Sequence, residues 1–103
     1  MKYMTKLEEI LKILRKNREI LRKKFGVKKI EIFGSYVNGE ETEKSDIDLL
    51  IEFEKGKKTF DNFMELVFFL EKILGKKVDL LTKNGISPYI RPYVKTVVVF
   101  EKV

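Results

Sequence analysis

The sequence predicts an α/β (α+β) fold: a small mixed sheet with helices packed mainly on one face. Three observations predict it. Apolar residues recur at helical spacing over 5–25 and 59–74. Four short runs rich in Ile, Val, Leu and Phe are bounded by Gly, Asn, Ser or Lys turns. The resulting order, α-β-β-α-β-α-β, contains no repeat, linker or low-complexity segment, so residues 1–103 read as one domain. A chain of this length buries somewhat over ~60% of its unfolded surface, enough for one modest core.

The first helix is expected from Thr5 to Phe25. Thr5 and Glu8 form a capping box, Leu7, Ile10, Leu11, Leu14, Leu21 and Phe25 keep helical spacing, and Gly26 suits the C′ position. Its basic face (Lys12, Arg15, Lys16, Arg18, Lys23) reads first as a solvated helix surface and second as a phosphate-binding one. Val27–Phe33 is the first strand, Ser35–Asn38 a short helical turn, and Gly39–Ser45 a polar, acidic loop. Asp46–Phe53 is the second strand, with Ile47, Leu49, Ile51 and Phe53 opposite the aspartates. After the turn at 54–58, Thr59 or Asp61 caps a helix that ends at Leu74 before Gly75. Its aromatics Phe60, Phe63, Phe68 and Phe69 read as core. Lys77–Thr82 is a third strand with Asp79 in its middle. Ser87-Pro88 starts a short helix over Tyr89–Val94, and Thr96–Glu101 is a final edge strand.

Composition narrows the chemistry. Cysteine and histidine are both absent, which removes disulfides, thiolate or imidazole metal sites, cysteine nucleophiles and Ser-His-Asp catalysis. Any metal must be held by oxygen, which favours Mg²⁺ or Mn²⁺ over Zn²⁺. No run approaches a membrane span and no signal-peptide core is visible, so no membrane association and a cytoplasmic location are expected. The formal net charge of +6 is compatible with nucleic acid, nucleotides or an acidic partner, and equally with simple solubility.

The stretch from Ile30 to Phe53 carries the chemistry. Gly34-Ser35 ends one strand and Asp46-Ile47-Asp48 opens the next. In an extended strand residues i and i+2 share a face, so Asp46 and Asp48 project side by side. Only four aspartates occur in the chain, and Asp46, Asp48 and Asp79 lie in or at the start of apolar strand runs, where aspartate is disfavoured. Three carboxylates on one sheet face could hold two Mg²⁺ ions, while bare N–H groups at Gly34-Ser35 meet an anion. That pairing suits phosphoryl or nucleotidyl transfer. An Asp-x-Asp alone is more often a turn or capping feature. An EF-hand is excluded because Leu50 and Ile51 stand where a ligand and glycine are required. A P-loop fails because Glu40-Glu41 follow Gly39. A glycosidase pair fails because neighbouring aspartates cannot flank a sugar.

The string Gly34-Ser35-Tyr36-Val37-Asn38-Gly39, then Ser45-Asp46-Ile47-Asp48-Leu49, resembles the signature of the polymerase-β-like nucleotidyltransferase superfamily, and in particular the minimal nucleotidyltransferases of prokaryotes. The resemblance covers nearly the whole chain. It implies that Asp46 and Asp48 ligate two Mg²⁺ ions (Mn²⁺ being an alternative), and that Asp79 supplies the third catalytic and metal-binding carboxylate. It also implies nucleotide binding at Gly34, Ser35 and position 38. The implied reaction is attack on the α-phosphate of ATP with release of pyrophosphate. The implied setting is an antitoxin that adenylylates a HEPN-type ribonuclease toxin, in a homo- or hetero-oligomer. One departure stands out: the family usually has alanine-arginine where this chain has Val37-Asn38. Asparagine lacks the bidentate fork of arginine, and Lys44 and Arg91 are the candidate replacements. Two other readings follow: a catalytically weak or inactive antitoxin that acts by binding, and an RNA-directed nucleotidyltransferase. The last is less favoured, since the chain has no separate RNA-reading domain and no aromatic-basic stacking surface.

Overall fold

The computed structural model describes residues 4–102. Its elements are α1 (Lys6–Lys16), α2 (Arg18–Lys23), β1 (Val27–Phe33), α3 (Ser35–Asn38), β2 (Ile47–Phe53), α4 (Phe60–Leu74), β3 (Val78–Thr82) and β4 (Val97–Glu101). The four strands form one mixed sheet in the order β3-β2-β1-β4. β1 is antiparallel to β2 and β4, and β2 is parallel to β3. Residues Ile30, Ile32, Ile47, Leu49, Ile51, Val78 and Leu80 point to one side of the sheet. There they share a core with Ile10 and Leu14 of α1, Leu21 of α2, and Leu66 and Leu70 of α4. The expected α/β architecture is therefore present, with its helices on one face.

The N-terminal helix differs from expectation: it is two helices, broken at Asn17. The capping box forms, with Thr5 Oγ1 accepting from the Glu8 N–H and Glu8 Oε1 accepting from the Thr5 N–H. At Asn17 the side-chain Nδ2 donates to the Ile13 carbonyl at 2.8 Å, and the backbone sits at φ −99°, ψ 13°. Asparagine competes locally with the helical ladder, and here it turns the chain into α2. The break still lets Leu14 and Leu21 bury completely. Arg15 is not merely solvated. Its guanidinium donates to the carbonyls of Val99 (3.0 Å) and Val98 (3.3 Å), satisfying acceptors on the sheet edge.

Two further corrections concern exposure and local structure. Phe60 and Phe68 are 78% and 63% exposed, so half of the aromatics assigned to the core lie outside it, while Phe25 and Phe69 do pack together at 5.1 Å. A helix as apolar as α4 offers more greasy surface than a four-stranded sheet can cover. Tyr89–Val94 is not an α-helix but a turn followed by a 3-10 segment at Arg91–Tyr93. Pro92 lacks the N–H that a continuing helix needs. The β2, β3 and β4 strands each begin one residue later than expected. In β4 the alternation slips, and Val99 and Phe100 are both buried. The register shift against β1 between Ile30 and Glu31 accounts for it, because a bulge changes which face the following residues meet.

The opposite sheet face is only partly open. Lys83 and Arg91, from the β3–β4 connection, share a small cavity with Lys29, Glu31, Leu50 and Glu52. The connection thus covers the middle of this face, and Leu50 is buried beneath it. The end that carries the aspartates is left accessible. Among the described residues, no helix is long and apolar enough to cross a membrane.

Candidate active site

The site begins with a chain reversal. β1 runs out at Phe33, and Gly34 adopts φ 78°, ψ −149°, a region that is essentially glycine's alone. A Cβ there would run into Asp48 Oδ2 and lie 3.0 Å from its Cγ. The absence of a side chain at position 34 thus lets the Asp48 carboxylate rest against the backbone of the turn. Gly34 is also the N-cap of α3, whose first turn has no side-chain cap, and its carbonyl accepts from the N–H groups of Val37 and Asn38. Tyr36 is buried in the core and anchors the turn from below, a role the sequence pattern did not single out.

The loop that delivers Asp46 is held by its own hydroxyls. Ser45 Oγ accepts from the Thr42 N–H at 2.8 Å, the Ser45 N–H donates back to the Thr42 carbonyl at 3.0 Å, and Thr42 Oγ1 accepts from the Lys44 N–H at 3.2 Å. Lys76 adds a clamp from the far side, donating to the Glu43 carbonyl at 2.9 Å with its ammonium 6.0 Å from the Tyr36 ring centre. The Ile47 N–H then reaches the Lys77 carbonyl at 3.0 Å, and β2 pairs with β3. Glu71 of α4 fixes the start of β3 by accepting from the Val78 N–H at 3.0 Å.

This pairing brings the carboxylates together. In parallel register Asp48 stands beside Asp79, and in antiparallel register it stands opposite Phe33, next to Gly34. The Asp48 carboxyl is pushed above the usual carboxylate range, first by burial, then by the negative charges of Asp79 and Asp46. No lysine or arginine forms an ion pair with any of these three among the described residues. Asp46 and Asp79 are exposed and Asp48 is half-buried. Their side chains are not gathered around a single point, and no group of three carboxylates among the described residues is close enough to hold a metal ion. The donor chemistry nonetheless fits a hard divalent cation: all oxygen, all anionic, mutually repelling and without an organic counter-ion.

Ser35 lies at the start of α3 beside this group. Asn38 lies at its other end, exposed, and forms no hydrogen bond to a carboxylate among the described residues. Arg91 sits over the middle of the open sheet face beside Leu50, two residues along β2 from Asp48. Lys44 lies in the exposed loop before Asp46.

Comparison with known proteins bears on the family and the fold. A family profile described as a nucleotidyltransferase domain matches residues 14–103. The chain is 51% identical over 90 residues to a Methanocaldococcus jannaschii protein provisionally named a protein adenylyltransferase, spanning 85% of this chain and 90% of the relative. It is 43% identical over 97 residues to the protein adenylyltransferase MntA of Thermococcus cleftensis, spanning 94% of this chain and 97% of that protein. A solved structure provisionally described as a minimal nucleotidyltransferase is 32% identical, with a TM-score of 0.73 over 94% of this chain and 98% of that one. A solved toxin–antitoxin structure with AMP-PNP shares the fold at a TM-score of 0.63 and 23% identity, over 93% of this chain and 73% of that one.

Proposed function

The chain belongs to the nucleotidyltransferase domain family, and from that premise we propose that it transfers AMP from ATP to a hydroxyl of a HEPN-type toxin, acting in the cytoplasm as the antitoxin. The observation that carries the reading is the placement of Asp46, Asp48 and Asp79 at the open end of the sheet, unpaired with any cation among the described residues and next to an uncapped glycine-serine turn. The names of the relatives support adenylyl transfer, and the toxin–antitoxin structures of the same fold support a protein partner.

In this reading Asp46 and Asp48 would hold Mg²⁺ and Asp79 would complete the set. The bound cation would supply charge neutralisation on the triphosphate and lower the pKa of the acceptor hydroxyl. The uncapped N–H groups at the start of α3 would meet the β- and γ-phosphates. The hydroxyl oxygen forms a bond to the α-phosphorus, the bond from that phosphorus to the bridging oxygen breaks, and pyrophosphate leaves. Asp79, exposed on the edge strand β3, would take the hydroxyl proton. The raised pKa of Asp48 means that its charge is held at a cost until a cation relieves it.

The test is incubation of the chain with α-labelled ATP, Mg²⁺ and a HEPN-type toxin from the same source. Label should appear on the toxin with wild type and vanish with Asp46→Ala. Absence of label with both would sink the enzymatic claim. A second reading, neutralisation by binding alone, is favoured by one observation: Asn38 occupies the position of the family's usual arginine and is exposed. In that case Asp48→Asn would still protect cells from the toxin.

A further inference from the structure

The helix side of the molecule carries a second feature that nucleotidyl transfer does not use. A cleft of about 580 Å³ lies where the α1–α2 corner meets the ends of β2 and β4. Six cations and two carboxylates line it. Each carboxylate has a lysine within ion-pair distance, although Glu54 Oε1 accepts no hydrogen bond. Glu19 accepts from Lys23 at 2.7 Å, and Lys102 Nζ stands 3.3 Å from Glu54 Oε1. Four cations remain without a carboxylate partner among the described residues: Arg15, Lys16, Arg18 and Arg22.

Two of the four are oriented in advance. Arg15 is fixed by its bonds to the Val98 and Val99 carbonyls. The Arg18 guanidinium lies over the Phe100 ring, 5.5 Å from its centre. Packing a guanidinium against a ring restrains it while leaving N–H groups free for an anion. The break at Asn17 makes the surface concave, because α1 and α2 would otherwise present these side chains along one straight helix.

We propose that this cleft binds the phosphate backbone of a single-stranded nucleic acid without reading its bases, and RNA serves as the probe below. Two observations favour a nucleic-acid backbone over an acidic protein segment. None of the lining residues is apolar, whereas the centre of a protein interface needs buried apolar anchors. Three of the four free cations are arginines, whose planar fork matches phosphate oxygens. The aromatic ring in reach, Phe100, is buried and already covered by Arg18, so no base can stack on it. The site lies across the sheet from the aspartates, so its occupancy does not depend on the proposed transfer reaction.

The test is fluorescence anisotropy of a labelled 12-nucleotide RNA of mixed sequence with the full chain. Four contacted phosphates give a plot of log affinity against log salt with a slope near about −3, so binding should weaken about 50-fold between 50 and 200 mM salt. Lys16→Ala/Arg22→Ala should weaken binding at least about tenfold and halve the slope. Lys16→Glu/Arg22→Glu, at the same two positions, should abolish it. Lys72→Ala/Lys95→Ala, elsewhere on the surface, should match wild type. No binding at 50 mM salt, or equal losses in the two alanine pairs, would overturn the proposal. So would displacement of the RNA by a poly-glutamate peptide at equal charge, which would assign the cleft to an acidic protein. Displacement by inorganic polyphosphate at a far lower phosphate concentration than unlabelled RNA requires would assign it to a free polyanion instead.

Discussion

Strand β2 has two faces that obey opposite rules. On one, Ile47, Leu49 and Ile51 are sealed against the helices. On the other, Asp48 stands between Asp79 and the Gly34 turn, its ionised form disfavoured by its surroundings. The first face is built from contacts that lower the energy of the fold. The second keeps like charges close and leaves them unpaired. A residue type that the fold would reject stands at the place where the proposed reading puts a cation and a nucleotide. Substitutions on the two faces should therefore separate stability from activity.

The largest effect is expected at Asp48. Asp48→Asn should lower AMP transfer by about 1000-fold, the order seen when one preorganised charge-stabilising group is lost. Label transfer to the toxin measures it, and unchanged transfer would remove the carboxylate from the mechanism. On the buried face Leu49→Ala should cost about 2–5 kcal/mol of stability through lost burial and an unfilled cavity, read from urea unfolding. Gly34→Ala sits between the faces. Positive φ and the collision with the Asp48 carboxylate should cost about 1–3 kcal/mol and displace that carboxylate, lowering both stability and transfer. Asn38→Arg should lower the KM for ATP by about threefold to fivefold, the worth of one exposed charge contact, with no change in melting temperature.

The smallest effect concerns pH and is the most direct probe of the contrast. With metal removed by EDTA, ionised Asp48 destabilises the folded chain. The penalty is complete above its raised pKa. As pH falls through that value the folded state takes up a proton before the unfolded chain does, and stability is gained. Below the ordinary carboxylate value of about 3.9 both states are protonated and the gain is complete. Asp48→Asn should therefore melt higher than wild type at neutral pH, with the difference fading in acid. Mg²⁺ should raise the wild-type melting temperature and leave that of the variant nearly unchanged. A variant that melts lower than metal-free wild type at pH 7 would contradict the reading of Asp48 as a strained charge.

Local sequence determined much of this protein. Thr5 with Glu8 and Thr59 with Asn62 cap their helices, Gly75 ends α4 with positive φ, and the period-2 pattern of Ile47, Leu49 and Ile51 fixes which face of β2 is buried. These features depend on neighbours within a few residues, where backbone geometry and hydrogen-bond reach are nearly fixed. The Gly34-Ser35 and Asp46-x-Asp48 spacing was legible for the same reason, since both lie on adjoining strands of one hairpin-like unit. Other features lay beyond local reach. Asn17 looked like one more helix residue until its side chain took the Ile13 carbonyl. Phe60 and Phe68 carry the same apolar signal as Phe69, yet the sheet is too narrow to cover all three. Asp79 is 31 residues from Asp48 in the chain, and only the parallel pairing of β3 with β2 sets them side by side. The basic cleft likewise joins α1, α2 and the ends of β2 and β4. Sequence periodicity describes each element against an unspecified partner. Tertiary structure names the partner, and with it the charges that must share a site.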